Sequence, residues 1–504
     1  MDDSREPGAA DLERAGASVR SGTASGRWVL LGTVLGSGIA SLDATVVNIA
    51  LPRLGEDLDA DFAGLQWVLN GYMLTLASLI LLGGSLGDRF GRRRIFTIGV
   101  VWFAGASLLC GVAPGIELLV AARMLQGVGA ALLTPGSLAI IQASFHPDDR
   151  AKAIGAWSGL GGVTTAIGPF VGGYLVDAAS WRWIFLLNLP LAAVVLWVTA
   201  HHIPETRSPP DGGRLDAVGT VLGAVGLAAT TWGLIERSWP IGIAGIAVLV
   251  LFVVAENRAR SPMLPLRIFR SRQFSATNVT TLFVYAGLAM VFFMLGLVLQ
   301  LALGYSPIEA GASTFPLTAI MLIFSSKSGA LAQRIGPRWP MTAGPLCIAA
   351  GLLLMVRIEP GRSYVGAVLP AVVVFAAGLA LTVAPLTATV LAAADPEHSG
   401  IASGVNNAVA RVGGLLAVAA VPLVAGFAPS SAVGGDELVD GFHTALMWAA
   451  GLVAVGGLVA WANIRSGVLA EAATDETATA PAAHGHAPYH CAADAPPLAP
   501  LPDT

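Results

Sequence analysis

The stretch that decides the fold reads Gly84-Ser85-Leu86-Gly87-Asp88-Arg89-Phe90-Gly91-Arg92-Arg93-Arg94, and it lies between two long apolar runs. Its three glycines allow a tight backbone turn. Its arginines are typical of a loop that stays on the cytoplasmic side of a membrane. Asp88 is the one acid among them, and an acid here can cap a helix or pair with an arginine. The stretch therefore predicts a cytoplasmic turn between two membrane spans, with Asp88 as part of a latch.

Composition indicates that almost the whole chain lies in a membrane. Of its 504 residues, 55% are apolar, 12% are charged and 60 are glycine, whereas soluble proteins carry about 25% charged residues. A hydrocarbon core about 30 Å thick needs roughly 20 apolar residues per span. Such windows follow one another from Trp28 to Trp461. The pattern predicts an all-α polytopic membrane protein without a soluble domain of useful size.

Apolar windows and the polar breaks between them predict about fourteen spans. Their approximate centres are Gly38, Leu76, Phe103, Ala130, Gly162, Ala193, Gly223, Ala247, Phe292, Ala319, Gly351, Gly378, Leu415 and Gly451.

The basic residues predict the orientation of these spans. Most of the 28 lysines and arginines fall in the tails and in loops on the same side as the Gly84–Arg94 turn. The opposite loops carry only Arg53, Arg182, Arg237, Arg357 and Arg362, while Arg123 and Arg411 lie inside the membrane. Such a bias predicts that both termini are cytoplasmic. Only two of the 28 are lysine, which is typical of a GC-rich bacterial genome, so we expect a bacterial cytoplasmic membrane protein.

A similar sequence occurs later in the chain. The sequence Gly329-Ala-Leu-Ala-Gln333-Arg334-Ile-Gly336-Pro-Arg338 repeats Gly, Leu, Arg and Gly at the same offsets, and transporters are often built from related halves. We therefore expect five parts in chain order. They are a cytoplasmic tail over 1–27, a six-helix half over 28–201, a linker with two extra spans over 202–273, a second six-helix half over 274–463, and a disordered cytoplasmic tail over 464–504.

Further motifs accompany the turn. They are Leu42-Asp43-Ala-Thr45-Val-Val-Asn48-Ile-Ala-Leu-Pro52, Arg123-Met-Leu-Gln126-Gly127-Val-Gly129, Gly155 followed by Gly168-Pro169-Phe-Val-Gly172-Gly173, and Trp181-Arg182-Trp183-Ile-Phe185-Leu-Leu-Asn188-Leu-Pro190. In this order and at this spacing, the motifs resemble those of the major facilitator superfamily, and within it the fourteen-span drug:proton antiporters. The resemblance covers about residues 28–463. Two positions depart from it, because Thr164 stands where the fifth-span motif often has glycine and Gln333 replaces the acid of the second turn.

The resemblance implies a fold, an activity and a set of roles. The fold is two six-helix halves plus two extra central helices, and the activity is export of drugs in exchange for protons by alternating access. The implied cytoplasmic gate comprises Gly84, Asp88, Arg89, Gly91 and Arg92. Arg123 is implied in proton coupling. The implied antiporter motif, a packed seam between the halves that limits leak, comprises Gly155, Gly168, Pro169, Gly172 and Gly173.

Asp43 and Arg123 can also be interpreted from the residues alone. Counting from the outer ends of their helices at 1.5 Å per residue, Asp43 lies about 13 Å deep and Arg123 about 10 Å deep. A carboxylate at that depth costs several kcal/mol unless it is protonated, paired or hydrated. We expect the two to interact and Asp43 to be the protonation switch, since arginine stays charged. The alternatives are an architectural ion pair, or an Asp43 that braces helices through Thr45 or Asn48.

Polar residues inside spans are candidates for a substrate cavity. The set comprises Gln66, Asn70, Tyr72, Gln126, Asn406 and Arg411. Amide and aromatic groups suit flat amphipathic molecules. Arg411 lies near the midplane, where it could hold an anionic group of a substrate, pair with Asp43, or pack against carbonyls and water.

The sequence indicates neither a metal nor another cofactor. The tail residues His484, His486, His490 and Cys491 are possible metal ligands, but they lack a second pair at ordered spacing. We therefore expect a disordered tail in place of a metal site. Without a Walker-type element, the proton gradient is the expected energy source. The expected partners are the lipid bilayer, protons and small amphipathic molecules. We expect no nucleic-acid partner and a monomer.

These observations predict a proton-coupled antiporter that exports amphipathic drugs or secondary metabolites. Two other transport functions stay open, namely a narrow-specificity exporter that confers self-resistance to an antibiotic, and a proton-coupled importer. An enzyme or a membrane sensor is disfavoured, because no extramembrane domain and no nucleophile with its base can be recognised.

Overall fold

The chain forms an all-helical structure. A computed structural model describes residues 19–20, 22–207, 215–259, 262–394, 399–428 and 435–470. The α-helices are α1 Ala24–Leu58, α2 Phe62–Phe90, α3 Arg92–Gly111, α4 Ile116–Ser144, α5 Pro147–Ala178, α6 Arg182–Leu186, α7 Asn188–His202, α8 Ala217–Ile235, α9 Trp239–Arg258, α10 Arg272–Leu297, α11 Pro307–Ser313, α12 Phe315–Ile335, α13 Arg338–Met355, α14 Leu369–Ala392, α15 Ser399–Ala425 and α16 Gly435–Asn463. A 3-10 helix covers Leu266–Arg270, and π-helical turns cover Val298–Ala302 and Tyr364–Val368.

Twelve of the described helical segments are long and apolar enough to cross a membrane. Each of the fourteen predicted centres lies in a helix, but α5 and α13 are not among the twelve. Several positions within α5 have side chains outside the described set, and α13 has 18 residues, begins with Arg338 and contains Pro340 and Pro345. The structure therefore confirms a multi-spanning helical protein, whereas the count of fourteen is not confirmed.

The boundaries predicted for the five parts of the chain stay predictions. We call the side that carries the Gly84–Arg94 turn the inner side. The predicted tail over 464–504 lies outside the described residues from 471 onward.

Small residues let helices α3 and α4 pack closely. A Cβ atom on Gly129 of α4 would lie 2.7 Å from the backbone nitrogen of Phe103 on α3, and one on Gly99 of α3 would lie 2.9 Å from the nitrogen of Leu133 on α4. The second half has a similar crossing, where a Cβ on Gly351 would lie 2.5 Å from the nitrogen of Phe375. Backbones that approach this closely gain van der Waals contact that a larger side chain would prevent.

The two halves meet at the outer side through α5 and the segments that follow α10. A Cβ on Gly173 of α5 would lie 2.7 Å from the Cα of Ile308 in α11. The Gln300 side chain donates a hydrogen bond of 2.9 Å to the carbonyl oxygen of Ile49 in α1. Nearer the inner end of α5, no described atom lies within 4 Å of a Cβ placed on Gly155 or Gly159. Along α5 the halves are therefore closed at the outer side.

Helix α8 and the turn that joins it to α9 contact both halves. This outer turn places Glu236 against α2, where it accepts a hydrogen bond of 3.1 Å from the indole of Trp67. The next residue, Arg237, has a left-handed backbone with φ of 52°. Its guanidinium donates a hydrogen bond of 2.6 Å to the carbonyl oxygen of Pro422 in α15. A single turn thus joins the first half, the extra pair and the second half.

We expect Gly129→Val to destabilise the protein by about 1–3 kcal/mol or more, because the new side chain overlaps the backbone of Phe103. The unfolding midpoint in detergent measures the effect. Gly105→Val on α3 is the matched control, since no described atom lies within 4 Å of a Cβ on Gly105. Equal midpoints for the two variants would show that the α3–α4 crossing is not tightly packed.

Candidate functional site

The centre of the first half holds a buried ion pair between α1 and α4. A nitrogen of the Arg123 guanidinium lies 2.5 Å from Oδ2 of Asp43, and their side chains are 1% and 0% exposed respectively. The sequence predicts that the two residues lie at similar depth on neighbouring helices, and the structure brings them together. Neither Thr45 nor Asn48 bonds to Asp43; both donate to backbone carbonyls of their own helix.

Amide groups complete the environment of the carboxylate. Oδ1 of Asp43 accepts hydrogen bonds from Gln126, at 2.8 Å, and from Asn188, at 3.1 Å. Both amides also donate to the hydroxyl of Ser107, at 2.7 Å and 3.2 Å. The carboxylate of Asp43 therefore accepts hydrogen bonds from side chains of α4 and α7 and makes an ion pair with Arg123.

The Arg123 guanidinium is held on several sides. Its Nε donates 3.0 Å to the carbonyl oxygen of Val68 in α2, and its Nη1 also donates 2.5 Å to the Gln126 side chain. Its central carbon lies 4.4 Å from the centroid of the Tyr72 ring and 5.7 Å from that of Phe185. Hydrogen bonds and aromatic faces together replace the water that a charged guanidinium would otherwise require.

Two members of this network were missed by the sequence analysis. Ser107 on α3 gave no signal, because a lone serine in an apolar span is common. Asn188 begins α7 and lies in the Trp181–Pro190 motif, where an amide amid apolar residues was the signal that could have found it. With them, the site links α1, α2, α3, α4 and α7.

The predicted gate residues cluster at the inner turn. Arg92 donates from Nε and Nη2 to Oδ1 of Asp88, at 2.9 Å and 2.8 Å. Arg89 is exposed and lies over its neighbour Phe90, at 5.5 Å from the ring centroid. Gly91 has φ of 110°, which favours glycine, and Gly84 faces Pro135.

A carboxylate outside the predicted set completes this turn. Glu205, three residues after the end of α7, accepts hydrogen bonds of 3.1 Å from the backbone nitrogens of Arg93 and Arg94. It thereby satisfies donors at the N-terminus of α3, where negative charge is favourable. A Cβ on Gly91 would lie 2.6 Å from its Oε1, so only glycine leaves room for the acid.

The predicted seam residues lie where α5 meets α1 and α11. A Cβ on Gly172 would lie 2.7 Å from Cγ1 of Val46, and Gly168 faces Thr45 at very short distance. On the opposite face, the carbonyl of Pro169 lies against Gly311. Gly155 is not part of these contacts.

The departure at Thr164 is accommodated by the partner helix. A Cβ on Gly38 of α1 would lie 3.1 Å from the threonine methyl group, so a glycine on α1 makes room for the larger residue.

The cavity candidates on α2 are buried in this conformation. Gln66, Asn70 and Tyr72 are each at most 1% exposed. Gln66 donates to the carbonyl oxygen of Val418 in α15, and the Tyr72 hydroxyl donates to that of Ala40, at 3.4 Å. Neither the oxygen nor the nitrogen of the Asn70 amide has a hydrogen-bond partner among the described residues.

The candidates on α15 differ from each other. Asn406 donates to Asn278, at 3.1 Å, and to Thr281, at 2.8 Å, so it braces α15 against α10. Arg411 is half-buried and forms no ion pair with any carboxylate in the described part of the chain. The pairing considered between Arg411 and Asp43 is not formed, because Asp43 is paired with Arg123.

Metal binding has no support in the described ranges. They contain no group of three or more His, Cys, Asp or Glu residues that could hold a metal ion. The candidate ligands His484, His486, His490 and Cys491 lie outside the described residues. The expectation that the protein needs no cofactor stays a prediction.

Known proteins resemble this chain over most of its length. A family model described as Major Facilitator Superfamily matches residues 33–418. A puromycin resistance protein of Streptomyces alboniger is 34% identical over 476 residues, which cover 90% of this chain and 93% of that protein. A tetracenomycin C resistance and export protein of Streptomyces glaucescens is 34% identical over 399 residues, covering 77% of this chain and 74% of that protein.

Solved structures share the fold. A bacterial homologue of the human lysosomal transporter Spinster, in an inward-facing and unoccupied conformation, superposes with a TM-score of 0.64. It is 17% identical, and the match covers 89% of this chain and 98% of that chain. At this identity the likeness concerns the fold alone.

Breaking the ion pair from one side leaves a buried charge without a partner. We expect Arg123→Leu to destabilise the protein by about 3–5 kcal/mol, and the double variant Asp43→Asn with Arg123→Leu to recover most of this loss. Unfolding in detergent measures both.

The control is Arg362→Leu, which removes a surface pair with Glu359 at 3.8 Å and should change stability by no more than about 1 kcal/mol. If the single variant at Arg123 were no less stable than this control, Asp43 would not carry a buried charge.

Proposed function

The chain belongs to the Major Facilitator Superfamily, and from that premise we propose that it exports an antibiotic or another amphipathic drug. It is a multi-pass membrane protein whose relatives include antibiotic resistance and export proteins. The family's members are transporters, which argues against an enzyme. The proposed place is the bacterial cytoplasmic membrane, with fourteen spans and both termini in the cytoplasm, and the arginine bias of the loops supports this orientation.

Proton coupling is the proposed energy source, and the buried pair of Asp43 and Arg123 is the observation that carries it. Arginine stays protonated, so only the carboxylate can change charge. Protonation of Asp43 would cancel its attraction to Arg123 and convert an acceptor oxygen into a donor facing the Gln126 and Asn188 amides. A neutral Asp43 therefore favours a different arrangement of these side chains.

The burial of Asp43 supports coupling to alternating access. Because its side chain is fully buried, a proton can reach it only after the surrounding helices move. Coupled transport requires that Asp43 exchange its proton with one side of the membrane in one conformation and with the other side in another. A proton that moves down 100 mV supplies about 2.3 kcal/mol.

The glycine seam supports motion of the halves against each other. Gly168 and Gly172 pack on α1 of their own half, while Pro169 and Gly173 contact α11 of the other half. Rigid-body rocking of the halves is the common mode in this fold, and close contacts along α5 would limit leak through the outer side. Lipid, protons and the drug are the proposed partners of a monomer without a cofactor.

A narrow-specificity self-resistance exporter is the second candidate. The names of the two relatives above each mention a single antibiotic, and this observation favours a restricted substrate range. Import of a polar nutrient is the less favoured direction, because neither of these relatives carries such a function in its name.

Inverted membrane vesicles test proton coupling. We expect the wild-type protein to accumulate puromycin or tetracenomycin C, or another drug from a susceptibility panel, when the vesicle interior is acidified. Asp43→Asn should abolish accumulation driven by the pH gradient and retain exchange of labelled for unlabelled drug.

Asp177→Asn, an exposed acid on α5, is the control and should behave like wild type. Full gradient-driven accumulation by Asp43→Asn would rule out the proposed switch. Uptake into right-side-out vesicles in place of export would favour the importer.

The seam gives a second transport prediction. Gly168→Val should abolish export while the protein still reaches the membrane, because valine overlaps Thr45 and separates α5 from α1. Gly159→Val on the same helix is the control, since no described atom lies within 4 Å of a Cβ there. Drug resistance of cells and protein level in membranes are the measurements. Normal resistance with Gly168→Val would remove the seam from the mechanism.

A further inference from the structure

The inner turns of the two halves differ in one acid. In the first half, Gly91 lies against the carboxylate of Glu205, the third residue after α7. In the second half, Gly336 has φ of 85° and lies against Ser466, the third residue after α16. A Cβ on Gly336 would lie 2.7 Å from both the Cα and the Cβ of Ser466. Both turns thus have a glycine beside the third residue after a helix, but a carboxylate faces the glycine in the first half and the backbone of a serine faces it in the second.

A cavity of about 310 Å³ lies at the second of these turns. Its lining includes Arg272 at the start of α10, Arg338 at the start of α13, and Arg465 and Ser466 after α16. None of its eight lining residues, all in the described part of the chain, is acidic. Three arginines line the cavity and two helices begin beside it, an arrangement that favours an anionic ligand.

Amide side chains fix the shape of the cavity. Arg272 donates from Nε and Nη2 to the oxygen of the Asn463 side chain, at 3.1 Å and 2.9 Å. Gln273 donates to the carbonyl oxygen of Asn463 and accepts from the backbone nitrogen of Arg465, both at 2.9 Å. These bonds position the start of α10 on the end of α16 and use two of the five donor hydrogens of Arg272.

The guanidinium of Arg338 has an N–H group that donates to no described protein atom. Its Nε is buried and has no hydrogen-bond partner among the described residues. Its guanidinium carbon lies 5.6 Å from the centroid of the Trp461 ring, which holds the side chain at the cavity. A buried donor without an acceptor is unfavourable, and an anion in the cavity would supply the acceptor.

The apolar surroundings indicate where such an anion comes from. Trp339 and Trp461 flank the cavity residues and are 58% and 49% exposed. Tryptophan at the end of a span is typical of the headgroup region of a bilayer. Basic pockets between spans at this level bind the headgroups of anionic lipids.

We propose that the cavity between α10, α13 and the residues after α16 binds a phosphate group, supplied by the headgroup of an anionic phospholipid. The phosphate occupies the role in the second half that the Glu205 carboxylate has in the first. Its oxygens accept hydrogen bonds from Arg272 and Arg338, and the acyl chains of the lipid lie along Trp461. The lipid thereby connects the inner ends of α10, α13 and α16 at a cavity whose described lining contains no acid.

Lipid binding to the purified full-length protein tests the proposal without any transport assay. Native mass spectrometry in detergent compares phosphatidylglycerol with phosphatidylcholine. We expect tighter binding of phosphatidylglycerol, and we expect Arg338→Gln to weaken that binding about tenfold, the loss of one charge-assisted contact. Arg334→Gln is the matched control, an exposed arginine on the same side that does not line the cavity; it should weaken binding less than about twofold.

Ser466→Glu provides the second variant, because it restores the acid of the first turn. We expect it to lower the affinity for phosphatidylglycerol and to reduce the rise in unfolding temperature that this lipid gives the wild type. Competition by glycerol 1-phosphate or inorganic phosphate in solution identifies a free phosphate as the source, and competition by lipid alone identifies the headgroup. Equal binding of the two lipids, or equal losses with Arg338→Gln and Arg334→Gln, would overturn the proposal.

Discussion

The first half of this transporter depends on one buried ion pair. Asp43 and Arg123 lie where water is scarce, so each charge is stable only in the presence of the other. They form hydrogen bonds with the carbonyl oxygen of Val68 on α2 and with the side-chain amides of Gln126 on α4 and Asn188 on α7. The two side-chain amides also donate to Ser107 on α3. A change of charge at the Asp43 carboxylate therefore alters hydrogen bonds that join five helices. This makes the pair suitable for coupling proton binding to a conformational change.

The contacts between the halves are of a different kind. They include glycine and proline backbones on α5 and α11, aromatic pairs such as Phe170 with Phe315, and carbonyl acceptors such as that of Ile49. Van der Waals packing of this kind weakens steeply with distance, so the seam is stable when closed and offers little resistance once it has begun to open. The Asp43–Arg123 ion pair thus lies inside one half, whereas backbone and aromatic packing join the halves along α5, α11 and the start of α12.

Depth along a helix can be predicted from the sequence, and rotation about its axis cannot. The fixed rise per residue is enough to place Asp43 and Arg123 at one level. Which other residues face that level depends on rotation, and spans that are apolar on all sides give no amphipathic pattern from which to derive it. For this reason Ser107 and Asn188 were missed, and Glu205 was expected only as part of a linker. The number of spans is also hard to predict, because Arg338 and two prolines lower the mean hydropathy of α13.

The turn between α8 and α9 has a consequence for the geometry of opening. Glu236 is attached to α2 and Arg237 to α15, and the Cα atoms of adjacent residues are only about 3.8 Å apart. When α2 and α15 separate at the outer side by more than the two side chains can span, one of these attachments must break. The extra helices then remain with a single half. They move with the half to which they stay attached. The two outer hydrogen bonds therefore influence whether α8 and α9 move with the first half or with the second.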